Sequence, residues 1–147
     1  MFFEGTLPGT AIGPYYFRCG IGQAQSNFAY GFTPSGSTAP LAQCISFLYS
    51  PDVNSGNWVV ECGGSSGTAY NTSTAVTGDT AYDLELDINA AWTSITFYVN
   101  DTLVQTVTTN IPTSQGAVFA SVTRGSPSTT AFKVAIDSSM LLYSFTR

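Results

Sequence analysis

The chain has 147 residues, a net charge of −5 and only four basic residues, Arg18, Arg124, Lys133 and Arg147. One domain of this length buries roughly 70% of its unfolded surface and needs no metal or disulfide to hold a core. Four scattered cations argue against binding to nucleic acid or an anionic membrane, and no apolar run reaches the ~18 residues of a spanning helix. Only 9% of residues are charged, while 17 Ser and 20 Thr supply hydroxyls and 44% of the chain is hydrophobic. That balance argues against disorder and for an all-β protein of extracellular or virion type.

Residues 1–14 (MFFEGTLPGTAIGP) carry two Pro and three Gly and read as an N-terminal arm or edge strand ahead of a single domain over 15–147. Phe2, Phe3 and Leu7 are awkward in water and mark the arm as a contact for a neighbouring molecule. The start has no basic segment followed by a long apolar one, so no signal peptide is expected. Residues 15–22 form the first clear strand. The loop 23–40 (QAQSNFAYGFTPSGSTAP) follows, with Phe28, Tyr30 and Phe32 set among polar residues. Such a loop either covers the open end of its own sandwich or contacts a partner.

Residues 43–50 and 57–62 pair as a hairpin about the turn 51–56. If Ser50 meets Gly56, Cys44 stands opposite Cys62, at disulfide distance. The alternative is that Cys19, Cys44 and Cys62 are buried free thiols acting as small apolar residues, which suits assembly in a reducing cytoplasm. Residues 63–80 are rich in Gly, Ser and Thr, with room for a strand over 69–77. The stretch 82–112 then alternates almost without fault, as a meander of strands over 82–89, 94–100 and 102–109, the last with either Leu103, Gln105 and Val107 or Val104 and Thr106 lining it. Tyr82, Leu84, Leu86 and Ile88 point one way and Asp83, Glu85 and Asp87 the other, and Ile95, Phe97 and Val99 repeat the period. Period-2 alternation predicts half-buried antiparallel strands. Strands over 117–123, 131–137 and 140–145 close the chain. About nine strands or more, with turn signals between them, predict a two-sheet antiparallel β-sandwich.

There is no histidine. Its absence removes Ser-His-Asp and Cys-His nucleophiles and HExxH zinc chemistry. Neither a phosphate-binding glycine loop nor a CxxC pair occurs. Asp83, Glu85 and Asp87 are the one row with chemical potential, because some β-sandwich glycosidases place acid and nucleophile on alternate residues of one strand. Such enzymes need two carboxyls in a cleft, one of them held protonated; the bland reading is a solvated strand face. Asp52, Asn54, Asp79, Asn100 and Asp101 fall in predicted turns, where turn formation explains them better than calcium does. Asn71 and Asn100 begin N-x-[ST] triplets, common by chance in so Thr-rich a chain. No metal or cofactor is expected.

Certain pieces together carry a resemblance. They are Gly56-Asn57-Trp58 opening a strand, Gly78 leading into Tyr82-x-Leu84-x-Leu86-x-Ile88-Asn89, and Thr96-Phe97-Tyr98-Val99-Asn100 before a turn. Leu103-Val104, Thr108-Thr109-Asn110-Ile111-Pro112 and the upstream Tyr15–Gly22 complete the set. Over about residues 13–145 the chain resembles a concanavalin A-like, laminin-G-like jelly-roll module, as found in tailed-bacteriophage virion proteins. It departs from that pattern at Asp101, where glycine is common, and in the short stretch before Tyr15, so that either Phe2–Thr6 builds an N-terminal strand or a neighbour supplies one. The resemblance implies a jelly roll and a non-enzymatic protein on the particle surface, assembled in the host cytoplasm. A capsid decoration or cement protein, contacting the major capsid protein and copies of itself as a homotrimer, fits a chain this short. The alternative it implies is a receptor- or carbohydrate-binding tail-fibre domain that uses Tyr70, Trp92 or Tyr98 on a glycan; Trp58 and Trp92 read first as core or sandwich-edge residues. A glycoside hydrolase using Asp83, Glu85 and Asp87 is the remote alternative.

Overall fold

The computed structural model describes residues 2–6, 15–22, 43–113, 117–124 and 135–140. Among them, ten strands form two antiparallel five-stranded sheets, and the only helical piece is a 3-10 turn over Asn54–Gly56. The strands are β1 (Phe2–Thr6), β2 (Tyr15–Gly22), β3 (Cys44–Tyr49), β4 (Asn57–Gly63), β5 (Gly67–Ala75), β6 (Ala81–Ile88), β7 (Ile95–Val99), β8 (Thr102–Val107), β9 (Ala117–Arg124) and β10 (Ala135–Met140). Sheet A has the order β10-β1-β6-β7-β8 and sheet B the order β5-β4-β3-β2-β9. The chain is an all-β sandwich, with β5 and β8 in contact across the two layers.

The inner faces meet around Trp58, which is fully buried. Phe17, Phe47, Tyr49 and Tyr82 surround its ring at centroid distances of 6.3, 6.0, 5.8 and 5.6 Å, three of them edge-on. Edge-to-face pairs add about 0.5–1.5 kcal/mol each beyond the area they bury. The indole Nε1 has no hydrogen-bond acceptor and is enclosed by these rings. Leu84, Leu86, Ile95, Phe97 and Val99 complete the core from sheet A.

The two sheets are buried differently. In β6 and β7, buried residues alternate with more exposed ones, as the sequence pattern predicts for strands with one wet face. In β3 all six residues are buried, and in β4 all but the first. The middle of sheet B, over β2, β3 and β4, is therefore covered on its outer face as well. Tyr16, Leu48 and Val59 form a second apolar cluster there, with Val53 packed against them.

Two expectations need correction. The first strand is interior: Phe2 pairs with Met140 on one side and Glu85 on the other, and Phe3 with Ser139 and Leu84. This segment is therefore neither an arm nor an edge, because sheet A is continuous only through it. The β3–β4 hairpin is shifted by one residue, with Cys44 opposite Gly63 and Ile45 opposite Cys62. The cause lies in the turn, where Asn54, Ser55 and Gly56 all have positive φ and curl one more residue into the loop. The last described strand is Ala135–Met140, and residues 131–134 of the expected strand lie outside the described residues. Leu7, the loop 23–40 with Phe28, Tyr30 and Phe32, and most of the expected strand 140–145 lie outside the described residues.

At the β7–β8 hairpin, Asn100 and Asp101 both have positive φ (49° and 60°) in a two-residue loop. That is the type I′ geometry that suits a twisted hairpin, reached without the glycine common at this turn. Asn100 also extends the sheet. Its N–H donates to the Asp83 carbonyl at 2.8 Å and its Oδ1 accepts from the Asp83 N–H at 2.9 Å.

Candidate functional site

The acidic row lies on the more exposed face of β6, although Asp83 Oδ1 itself is buried. Asp83 and Glu85 are partly exposed and Asp87 is exposed. Their register partners are Glu4 for Asp83, Phe2 and Tyr98 for Glu85, and Thr96 for Asp87. Alternate residues of a strand stand about 6.5–7 Å apart, but a glycosidase acid must also be kept protonated by burial in a cleft. None of these three residues is buried as a whole.

The turn residues behave as turn formers. Asn54 Nδ2 donates to the carbonyls of Trp58 and Thr72, at 3.0 and 2.8 Å. Asn89 Oδ1 accepts from the N–H groups of Thr93 and Ser94 at 2.8 and 3.1 Å, bracing the β6–β7 turn. Asn110, at φ 55°, accepts from the Gly64 N–H and donates to Ser66 and Thr68, tying the chain after β8 to the β4–β5 hairpin. Among the described residues no group of three His, Cys, Asp or Glu converges to hold a metal ion.

The aromatic candidates for a glycan do not assemble into one platform. Tyr70 packs against the core from sheet B. Tyr98 stands on β7 beside Glu85 and Leu103. Trp92 is 51% exposed in the β6–β7 turn at φ 55°, an uncommon backbone conformation for a bulky residue. The two tryptophans, read alike from sequence, are opposites: Trp58 is core and Trp92 is not.

The most organised polar constellation is one the sequence reading did not anticipate. Arg18 on β2 and Glu61 on β4 form a buried bidentate ion pair, Nε to Oε2 at 3.0 Å and Nη2 to Oε1 at 3.3 Å. The Ser46 hydroxyl on β3, between them, donates to Glu61 Oε2 at 2.9 Å. The Cys44 thiol donates to Ser46 Oγ at 3.3 Å. Gly20 stands opposite Ser46. A Cβ there would collide with the Ile45 carbonyl and lie 2.6 Å from Ser46 Cα, so only glycine allows β2 and β3 this approach. The available signal was one charge of opposite sign in each of two otherwise apolar strands, YYFRCGIG and NWVVECG, because a charge amid buried residues needs a partner.

The register also decides the cysteines. Neighbouring residues of a strand point to opposite faces. Cys62, beside Ile45, joins the inner core, while Cys44 faces outward to Ser46. All three described thiols are free and buried. Burial pushes Cys62 up to about 11 and Cys44 up to about 12, and raises Cys19 well above the ordinary thiol range. They are protonated, weak nucleophiles at neutral pH.

Of the residues singled out for partner contact, Phe2 and Phe3 are members of an inner strand. Large apolar side chains exposed to solvent occur elsewhere: Leu103 on the edge strand β8, and Val118 and Val122 on the edge strand β9. The exposed or part-exposed charges of the described side chains are all acidic: Asp52, Asp79, Asp83, Glu85, Asp87 and Asp101. No protein-family model matches the chain, and no curated protein is significantly similar to it.

Proposed function

We propose that this chain is a non-enzymatic structural protein of a tailed-phage particle, a jelly-roll decoration or cement protein that stabilises the shell through contacts with the major capsid protein and with copies of itself. The observation that carries the reading is where the apolar surface lies. Leu103, Val118 and Val122 stand exposed on edge strands, the arrangement of a module that works by lateral contact. The carboxylates with most chemical potential lie on the more exposed face of β6. The strand-and-turn motifs that resemble phage jelly-roll modules supply the particle context. Repetition around a symmetric shell makes many weak contacts effective together.

The test is rebinding. Purified protein, mixed with capsids from which it has been stripped, is expected to cosediment to saturation and to raise the temperature at which the shell opens. Adsorption to host cells with no capsid binding would replace this reading with the tail-fibre one. Polysaccharide hydrolysis abolished by Glu85→Gln would replace both.

A further inference from the structure

We infer that the buried Arg18–Ser46–Glu61 ladder is a registration device for sheet B, which dictates the faces of β2, β3 and β4 and thereby keeps Cys44 and Cys62 apart. A half-buried strand declares its inner face by alternation, and a slip of one residue is resisted because it exchanges the two faces. That protection is weak in sheet B. Both faces of β3 and nearly all of β4 are buried, and apolar residues occupy each: Phe47, Trp58 and Val60 inside, Leu48 and Val59 outside. Turning β4 over would carry Trp58 and Val60 out of the inner core and Val59 into it, a costly but still apolar exchange, whereas Glu61 has no apolar counterpart. Its carboxylate would then enter the aromatic core without Arg18 or Ser46, and burying an unpaired charge is prohibitive. Arg18 marks the same outer face on β2, and Ser46 marks it on β3 between them.

The thiols report the register. In the observed pairing Cys44 opposes Gly63 and Cys62 opposes Ile45, so the sulfurs lie on opposite faces. A slip of one residue at the β3–β4 hairpin would set Cys44 directly opposite Cys62, where a cross-strand pair reaches disulfide distance. The full chain is treated under native conditions with diamide, which accepts the two protons and two electrons released when two thiols join. Non-reducing peptide mapping then shows which cysteines are linked. Wild type is expected to keep three free thiols, and Arg18→Met/Glu61→Leu to yield the Cys44–Cys62 peptide pair. The charge-swapped Arg18→Glu/Glu61→Arg, which still marks the outer face, is expected to behave as wild type. Phe97→Leu, which weakens the core without touching the ladder, is expected to stay unlinked.

The inference is overturned if the neutral double variant folds and stays unlinked, or if Phe97→Leu links as readily. If the neutral variant shows no cooperative unfolding, the swap decides: free thiols support the device, and a Cys44–Cys62 link refutes it.

Discussion

Replacing Arg18 by Met keeps most of the side chain's length and removes the guanidinium. Glu61, fully buried, would lose both short contacts to Arg18 and keep only the Ser46 hydroxyl. Removing one member of a buried ion pair typically costs about 3–5 kcal/mol, because the remaining charge is left uncompensated. For a domain of this size each kcal/mol lowers Tm by roughly 2–4 °C, so a fall on the order of 10 °C is expected. Glu61→Leu alone removes the carboxylate that the buried guanidinium pairs with and should also destabilise the fold. The double variant Arg18→Met/Glu61→Leu should recover most of the loss, since it restores a neutral face beside Tyr16, Leu48 and Val59. Urea unfolding followed by the fluorescence of Trp58 measures all four corners of the cycle. The reasoning fails if either single variant lies within about 0.5 kcal/mol of wild type, the range of ordinary surface changes. It also fails if the two losses simply add, because contacting groups must show coupling.

Gly20→Ala should destabilise by at least about 2 kcal/mol, since the new methyl meets β3 backbone rather than a movable side chain; a neutral effect by denaturation would show that the two strands are not so close. Stability should decline at alkaline pH. Unfolded thiols ionise from about pH 8.5, whereas burial holds Cys62 up to about 11 and Cys44 up to about 12. The native chain therefore keeps protons that the unfolded chain sheds. The contribution is complete below about pH 8.5 and lost as pH rises through the folded values. Replacing Cys19, Cys44 and Cys62 by Ala should flatten the decline, and equal slopes in the two proteins would contradict the assignment. Acrylamide should quench one tryptophan readily and spare the other, and Trp92→Phe should abolish the readily quenched component, because Trp92 is half exposed and Trp58 is sealed; loss of that component in Trp58→Phe instead would reverse the assignment.

The all-β class and the sheet A meander were legible because alternation holds through β6 and β7 and each turn carries its own chemistry. Tyr82, Leu84 and Leu86 are buried as that period requires, and Asn100-Asp101 makes the turn expected of it. What escaped was set by long-range pairing. Phe2–Thr6 stays open in sequence between an arm, an edge segment and an N-terminal strand, because its neighbours β6 and β10 lie far along the chain. The hairpin register turned on one extra residue in a loop where Ser55, with no glycine to announce it, adopts positive φ. In sheet B the near-continuous apolar runs concealed which face was which, so the Arg18–Glu61 pair became visible only once β3 was placed between its two strands.

The proposed function puts this sandwich on the shell of a particle, and an icosahedrally averaged electron cryo-microscopy reconstruction of particles made with and without the gene is its most direct test. The account predicts density for a two-layer sandwich at every symmetry-equivalent site on the outer capsid surface, absent from particles made without the gene. A capsid unchanged by the gene's removal, with the difference confined to the tail tip or missing altogether, would contradict it.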